Sequence, residues 1–317
     1  MKKLSLALVL LVLFTVAGSA HAYPTRPITI ICPWGAGGGT DAVARIVGTL
    51  MQKELGVPVN VVNRTGGNGV VGHQAILLSR ADGYTIGIGT VELAMFSWMG
   101  LAPFTAANFT PIAGVNVDSG SITVPVGSWE NYAALMADVR ANKGKFTASG
   151  TAVGGIWHLA MASWLVGEGL PADHVRWIPS TGSAAALQEM VAGGVNIVTS
   201  SLAESTAMIE AGKAKALAYM GEERNPKHPD VPTLKELGIP VTTGTWRGIV
   251  GPNGLPHEVV KKLEETVTKI VASKEFIEFM ESRGFGIHFV PAQGWGALMI
   301  ESEKQFGVVM REAGLIQ

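Results

Sequence analysis

A β-branched run, Ile28-Thr29-Ile30-Ile31, ends at Cys32-Pro33 and crosses four glycines within residues 35–39 before entering a segment with apolar Ala42, Ile46, Val47 and Leu50. Period two giving way to period 3.6 across bare backbone predicts a strand, a tight turn and a helix start. Such a join belongs inside a sheet with its helix laid on one face, which is an α/β arrangement. Glycines let the backbone approach a ligand with no Cβ in the way, and the unpaired N–H groups of a first helical turn attract an anion. The expected anion is a carboxylate, and its expected wall is Trp34, Gly35, Ala36, Gly37, Gly38, Gly39, Thr40 and Asp41. Asp41 also complements the helix dipole and reads as a cap. Trp34 reads equally as a lid over the ligand or as core packing.

The design repeats. Residues 57–62 and 84–89 read as strands and 40–55 and 70–80 as helices, the order of a parallel sheet with crossover helices, with Asp82-Gly83 as a turn. Ligands of open α/β sheets lie beyond the carboxyl ends of strands, so Gly89 and Thr90 join the expected site. A second unit opens with a helix over 128–142 capped by Ser128 and a strand at 145–149. Its glycine turn offers Ser149, Gly150, Thr151, Gly154 and Gly155, and a helix over 156–166 carries His158 at its start. His158 either donates to a ligand or is a satisfied histidine on a partly apolar face. Residues 175–179 read as a strand followed by the turn Ser180-Thr181-Gly182-Ser183, and 195–199 as a strand ending at Ser200. Two such turns facing one another make a clamp for a small anion. Residues 222–232 read as a solvated connection, and helices over 258–272, 274–282 and 294–313, with Gly314 as a C-cap signal, are expected to pack on the first domain.

Composition narrows the function classes. A net charge of −1 with no basic run lacks the electrostatic footprint for nucleic acid or for a membrane surface. Lys2-Lys3, an apolar stretch over 4–17 and Ala20-His21-Ala22 form a secretory signal over residues 1–22, with the mature chain starting at Tyr23 and no membrane insertion after processing. Cys32, the one cysteine, has no internal partner and is expected to be buried. The common serine-hydrolase, zinc and dithiol motifs are missing, so no catalytic residue, metal or cofactor is expected. One nucleotide signature does occur, G-x-G-x-x-G at Gly67, Gly69 and Gly72, with Glu92 near the spacing of a ribose-binding acid. An exported nucleotide-dependent enzyme is therefore the alternative reading, beside the plainer one of a glycine-rich turn opening a closely packed helix.

Tyr23-Pro24, Arg26-Pro27-Ile28, Pro33-Trp34 through Gly37-Gly38-Gly39-Thr40-Asp41, Asn63-Arg64 with Gly66, Asp82-Gly83-Tyr84-Thr85, Pro229-Asp230-Val231-Pro232-Thr233 and Trp246 with Gly248 together resemble the substrate-binding proteins of tripartite tricarboxylate transporters, the TctC or Bug family. The resemblance spans the whole mature chain. It implies a two-domain periplasmic binding protein of the type II class, each domain a mostly parallel sheet flanked by helices. It further implies a monomer without enzyme activity that closes on a small organic acid and delivers it to membrane permease subunits. Its domains would be residues 23–124 with 247–317, and 125–246. Carried over, the family's ligand contacts fall on residues 34–41, Gly89-Thr90 and 149–155. The turn residues Ser180 and Thr181 extend the expected wall. Two departures bear on ligand choice: many members have an aspartate where this chain has Ser200, and an aromatic residue where it has Arg247. Both make the neighbourhood less negative, which favours di- or tricarboxylates over amino acids. Arg247 is either a grip for a further carboxylate or a salt-bridging arginine.

Overall fold

The computed structural model describes residues 23–316; the expected signal over 1–22 lies outside the described residues. In the first lobe β1 (Ile28–Cys32) lies between β2 (Val59–Asn63) and β3 (Thr85–Thr90), parallel to both. Helices α1 (Gly39–Leu55) and α2 (Val70–Leu77) make the crossovers. In α1, Val43, Val47, Leu50 and Met51 are buried against the sheet, each such side chain contributing about 1.5–3 kcal/mol. Gly56, left-handed at φ 69°, stops the helix and donates its N–H to the Gln52 carbonyl. After β3 come a 3-10 turn over Val91–Ala94 and the one-turn α3 (Phe96–Met99).

One strand joins the lobes. β4 (Thr110–Pro125) pairs antiparallel with β9 (Gly244–Gly251) over its first part, Thr110 to Ser119, and from Gly120 onward with β7 (Ile197–Ser201) on one side and β8 (Ala214–Tyr219) on the other. The partners change at Ser119–Gly120, and the returning chain crosses beside it, where Gly120 N–H donates to the Thr243 carbonyl at 2.9 Å. The sequence boundary read at residues 124 and 125 thus falls within the second half of β4.

The second lobe repeats the first: β5 (Thr147–Ser149) runs parallel between β6 (Arg176–Trp177) and β7, with α4 (Tyr132–Ala141), α5 (Ile156–Gly167), α6 (Ser183–Val191) and α7 (Leu202–Glu210) around it. The parallel units read from the sequence flank a centre in which β9, β4 and β10 (Ile287–Pro291) run antiparallel. Helices α8 (His257–Val271) and α9 (Lys274–Arg283) pack on the first lobe, and α10 (Ala292–Glu312) covers β4 and also touches α5.

The sequence reading differs from the structure in a few places. Helix α4 starts at Tyr132 because the Asn131 side chain, not Ser128, accepts the first-turn N–H, from Ala134; Ser128 Oγ donates to the Pro125 carbonyl instead. Only Arg176–Trp177 of the strand read over 175–179 enters the ladder. β4, β8, β9 and β10 have no counterpart in the sequence reading. β4 carries Pro111, Gly114 and Gly120, residues that signal turns. Here the glycines admit large neighbours: a Cβ at Gly114 would lie 2.8 Å from the Trp295 ring, and one at Gly120 2.9 Å from Met220 Sδ.

Candidate functional site

Because β1 and β5 are central in their parallel trios, chain connections leave to opposite sides, and the turns at their carboxyl ends open crevices. The two crevices face each other across the switch in β4. Between them lies a small cavity of about 50 Å³, walled from the first lobe by Trp34, Gly35, Ala36, Gly38, Gly39, Thr40, Thr90 and Glu92. The second lobe contributes Thr151, Ile156, Trp157, Thr181 to Ala185 and Glu204, and Thr245 and Arg247 of β9 complete the wall. The starts of α1, α5 and α6 converge there, and no side chain of its own N-cap residue satisfies any of them, the caps being Gly38, Gly155 and Gly182. A larger hollow of about 520 Å³ lies among Asp118, Tyr219, Lys227 and Phe285, and no helix start lines it.

Hydrogen bonds fix the first-lobe wall. Trp34 Nε1 donates to Thr90 Oγ1 at 3.3 Å, and Thr90 Oγ1 donates to Glu92 Oε2 at 2.5 Å. Thr90 N–H donates to His73 Nε2 at 3.3 Å, so His73 carries its proton on Nδ1 and donates to the Gly69 carbonyl at 2.8 Å. Burial raises the pKa of Glu92 despite hydrogen bonds from Thr90, its own amide and Ile156. Burial likewise pushes His73 down to about 4. His73 has an ordinary value of 6.5, so its contribution to stability is complete above that pH and is lost as the pH falls toward 4, where the unfolded chain alone has taken up the proton. The loss is about 3 kcal/mol at 1.36 kcal/mol per pKa unit. Glu92 acts with the opposite sign, its raised pKa favouring the fold as pH falls. Urea titrations between pH 7 and 4.5 are expected to show a shallower acid loss for His73→Gln than for the wild type; identical slopes would contradict the assignment.

Several residues expected at the site hold it together from outside. Asp41 Oδ2 accepts from Gly37 N–H and from Arg45 Nε, both at 2.9 Å, while Asn63 Nδ2 donates to Asp41 Oδ1 at 2.8 Å and to the Trp34 carbonyl at 2.9 Å. Burial raises the Asp41 pKa, but these hydrogen bonds outweigh it and the net shift is down. Asp41 therefore ties the glycine turn to β2. Gly37, Gly89, Ser149, Gly150, Gly154, Gly155, His158, Ser180 and Ser200 do not line the cavity. His158 Nδ1 accepts from Gly154 N–H at 3.1 Å, with the ring 4.9 Å from that of Trp177. Ser200 Oγ is taken up by the Ser201 carbonyl and Ser205 Oγ. Cys32 is buried at the end of β1, and burial pushes its thiol up to about 12.

Arg247 lines the cavity but its guanidinium is engaged within the protein. Nη1 bonds Asn116 Oδ1 at 2.6 Å and Asp118 Oδ2, Nε donates to Thr40 Oγ1 at 3.0 Å, and Nη2 lies 3.9 Å from Glu204 Oε1. Of the two readings of this residue, the geometry is that of the salt-bridging arginine.

Sequence reasoning overlooked Glu204, Ser183 and the cleft position of Glu92. Glu204 Oε1 accepts from Gly39 N–H at 2.7 Å, and Oε2 accepts from Ser183 Oγ at 3.0 Å and Ser201 N–H at 3.1 Å. The signal available was Ser201-x-x-Glu204, a capping box at the start of α7. Glu92 follows β3 and is taken up by Thr90 Oγ1 and the Ile156 N–H of α5, while the Gly67–Gly69 turn belongs to the connection from β2 to α2. Gly72 serves close packing, since a Cβ there would meet Pro33 Cα at 2.5 Å. The nucleotide reading therefore loses its acid and its crevice. Among the described residues no group of three or more His, Cys, Asp or Glu side chains is placed to hold a metal ion, and no helix is long and apolar enough to cross a membrane.

The profile of the tripartite tricarboxylate transporter family receptor, TctC, matches residues 43–315. Protein BugT of Bordetella pertussis is 30% identical over 303 residues, covering 93% of this chain and 92% of the relative. A TctC solute-binding protein from Polaromonas, solved with no ligand, is 32% identical with a TM-score of 0.66, covering 92% of this chain and 99% of that one. The R. palustris protein Rpa4515, solved with adipate, is 26% identical with a TM-score of 0.86, covering 92% and 98%. The matched family is one of transporter receptors and not of enzymes, and with a match over most of its length the chain belongs to the tripartite tricarboxylate transporter receptor family.

Proposed function

We propose that this chain is an extracytoplasmic receptor that closes its two lobes on a small carboxylate and delivers it to the permease subunits of a tripartite tricarboxylate transporter. The observation that carries the reading is the convergence of three helix starts, from both lobes, on one cavity with Thr40, Thr90, Thr151, Thr181 and Ser183. Backbone amides and hydroxyls are donors matched to carboxylate oxygens, and helix dipoles favour the negative charge. A relative solved with adipate supports an acid of this size class. With Arg247 engaged by Asp118 and Asn116, the wall offers, among the described residues, no free cation for a third carboxylate, so a dicarboxylate fits better than a tricarboxylate. The lobes are taken to divide at Ser119–Gly120 and Thr243–Gly244, and the mature receptor to start at Tyr23 and act as a monomer in the periplasm.

A thermal-shift screen with adipate, malate, citrate and NAD tests this. A ligand at a hundred times its Kd stabilises the fold by about 2.7 kcal/mol, a rise of roughly 5 °C for a chain of this size. The expected result is a shift with at least one dicarboxylate. A shift with NAD and with none of the acids would overturn the reading.

A further inference from the structure

The cleft is bridged by the chain's own carboxylates. Glu204, from the second lobe, accepts the first amide of α1 in the first lobe, Gly39 N–H, at 2.7 Å. Glu92, from the first lobe, accepts the first amide of α5 in the second, Ile156 N–H, at 3.4 Å. Both carboxylates come from residues just past the carboxyl end of a sheet strand, β3 or β7, and both occupy the positions that make helix starts attractive to anions. The contact at α1 is closely built. A Cβ on Gly39 would come within 2.9 Å of Glu204 Oε1 and of Arg247 Nη2, so any larger residue there displaces one or both of these side chains. Ser183, the first residue of α6, adds its hydroxyl, and the Glu204 side chain is 5% exposed. Elsewhere in the wall of the same cavity, Thr151 Oγ1 is buried with no hydrogen-bond partner, a polar group left over for a solute. The overall arrangement matches the relative solved with adipate better than the one solved with no ligand, although the latter is nearer in sequence.

We propose that Glu204 is an internal stand-in for the ligand: it latches the lobes across the cleft and competes with a solute carboxylate for Gly39 N–H and Ser183 Oγ, with Glu92 as the reciprocal, weaker latch at α5. The competition rests on the receptor reading above; the latch does not. A bound solute gains the donors only as Glu204 gives them up, so the charge and reach of this one side chain set how tightly acids bind.

The test uses small-angle scattering and calorimetric titration of adipate on the wild type, Glu204→Ala, Glu204→Gln and Ser201→Ala. Ser201→Ala removes the cap of α7 and leaves the Gly39 contact, so it controls for damage to that helix. The expected result is a larger radius of gyration without added solute for Glu204→Ala, and to a lesser degree for Glu204→Gln, with contraction on adipate. Ser201→Ala is expected to lower the melting temperature with the wild-type radius. Adipate should bind Glu204→Gln roughly tenfold more tightly, the effect of removing one charge-assisted competitor. Wild-type radii in both Glu204 variants would overturn the latch, and unchanged or weaker adipate binding by Glu204→Gln would overturn the competition. Expanded radii with no adipate, malate or citrate binding to any of the proteins would leave the latch standing and sink the receptor reading instead.

Discussion

Arg247→Ala is expected to cost about 3–5 kcal/mol of folding stability, the usual consequence of stripping the partner from a buried charge. Arg247 and Asp118 are each 3% exposed in their side chains. Removing the guanidinium leaves the Asp118 carboxylate with Asn116 Nδ2 and Gly286 N–H, two neutral donors. The same change frees Thr40 Oγ1 and removes the cation nearest Glu204. Denaturant titration of Arg247→Ala, Asp118→Asn and the double variant measures it. The double variant should recover part of the loss, because neither charge is then left alone. A loss below about 1 kcal/mol for Arg247→Ala, the range of exposed ion pairs, together with altered selectivity among acids, would show instead that the arginine reads the ligand.

Gly150→Val carries the second large effect. A Cβ on Gly150 would lie 2.2 Å from the Thr199 carbonyl oxygen and 2.7 Å from Trp157 Cβ, closer than real atoms come, and both neighbours are held. Thr199 Oγ1 donates to the Trp157 carbonyl at 2.7 Å, so β7 and the start of α5 are fastened together at this point. Room for a branched side chain comes only from parting β5 from β7, which should cost at least about 3 kcal/mol, the upper range for overpacking. A stability loss with normal adipate binding in the remaining folded protein identifies Gly150 as a packing glycine. Wild-type stability with lost binding would return it to the ligand wall. Gly38 is different: a Cβ there meets nothing nearer than 3.7 Å, and the intolerant position of the first turn is Gly39.

Both glycine turns were legible in the sequence because they depend on local chemistry: β-branched strands, bare backbone and apolar periodicity lie next to each other in the chain. The walls they contribute through Trp34, Thr40, Thr90, Thr151 and Thr181 follow from that. What stayed hidden depends on pairing across long separations. β4 looks like a series of turns because of its glycines and proline, whereas Gly114 and Gly120 make room for Trp295 and Met220, residues far along the chain. Glu204 looks like an ordinary capping-box residue, and its second role at Gly39 comes only from bringing residues 39 and 204 together across the cleft. Arg247 has two equal readings in the sequence, and Asp118 and Asn116, on the neighbouring strand, supply its partners in the fold. His158 was read from its place after a glycine turn, but a histidine four residues after Gly154 reaches back to that amide and never enters the cavity.

Calorimetric titration of adipate and its shorter and longer dicarboxylate homologues into the wild type and Gly39→Val asks whether the acid sits between the lobes. In Gly39→Val the added Cβ meets Glu204 Oε1 and Arg247 Nη2, each at 2.9 Å, in the cavity wall at the start of α1. The expected result is one site per wild-type chain for at least one of these acids and no measurable binding by Gly39→Val, with the variant still folded by circular dichroism. Equal affinity in the two proteins would place the acid elsewhere and contradict binding between the lobes.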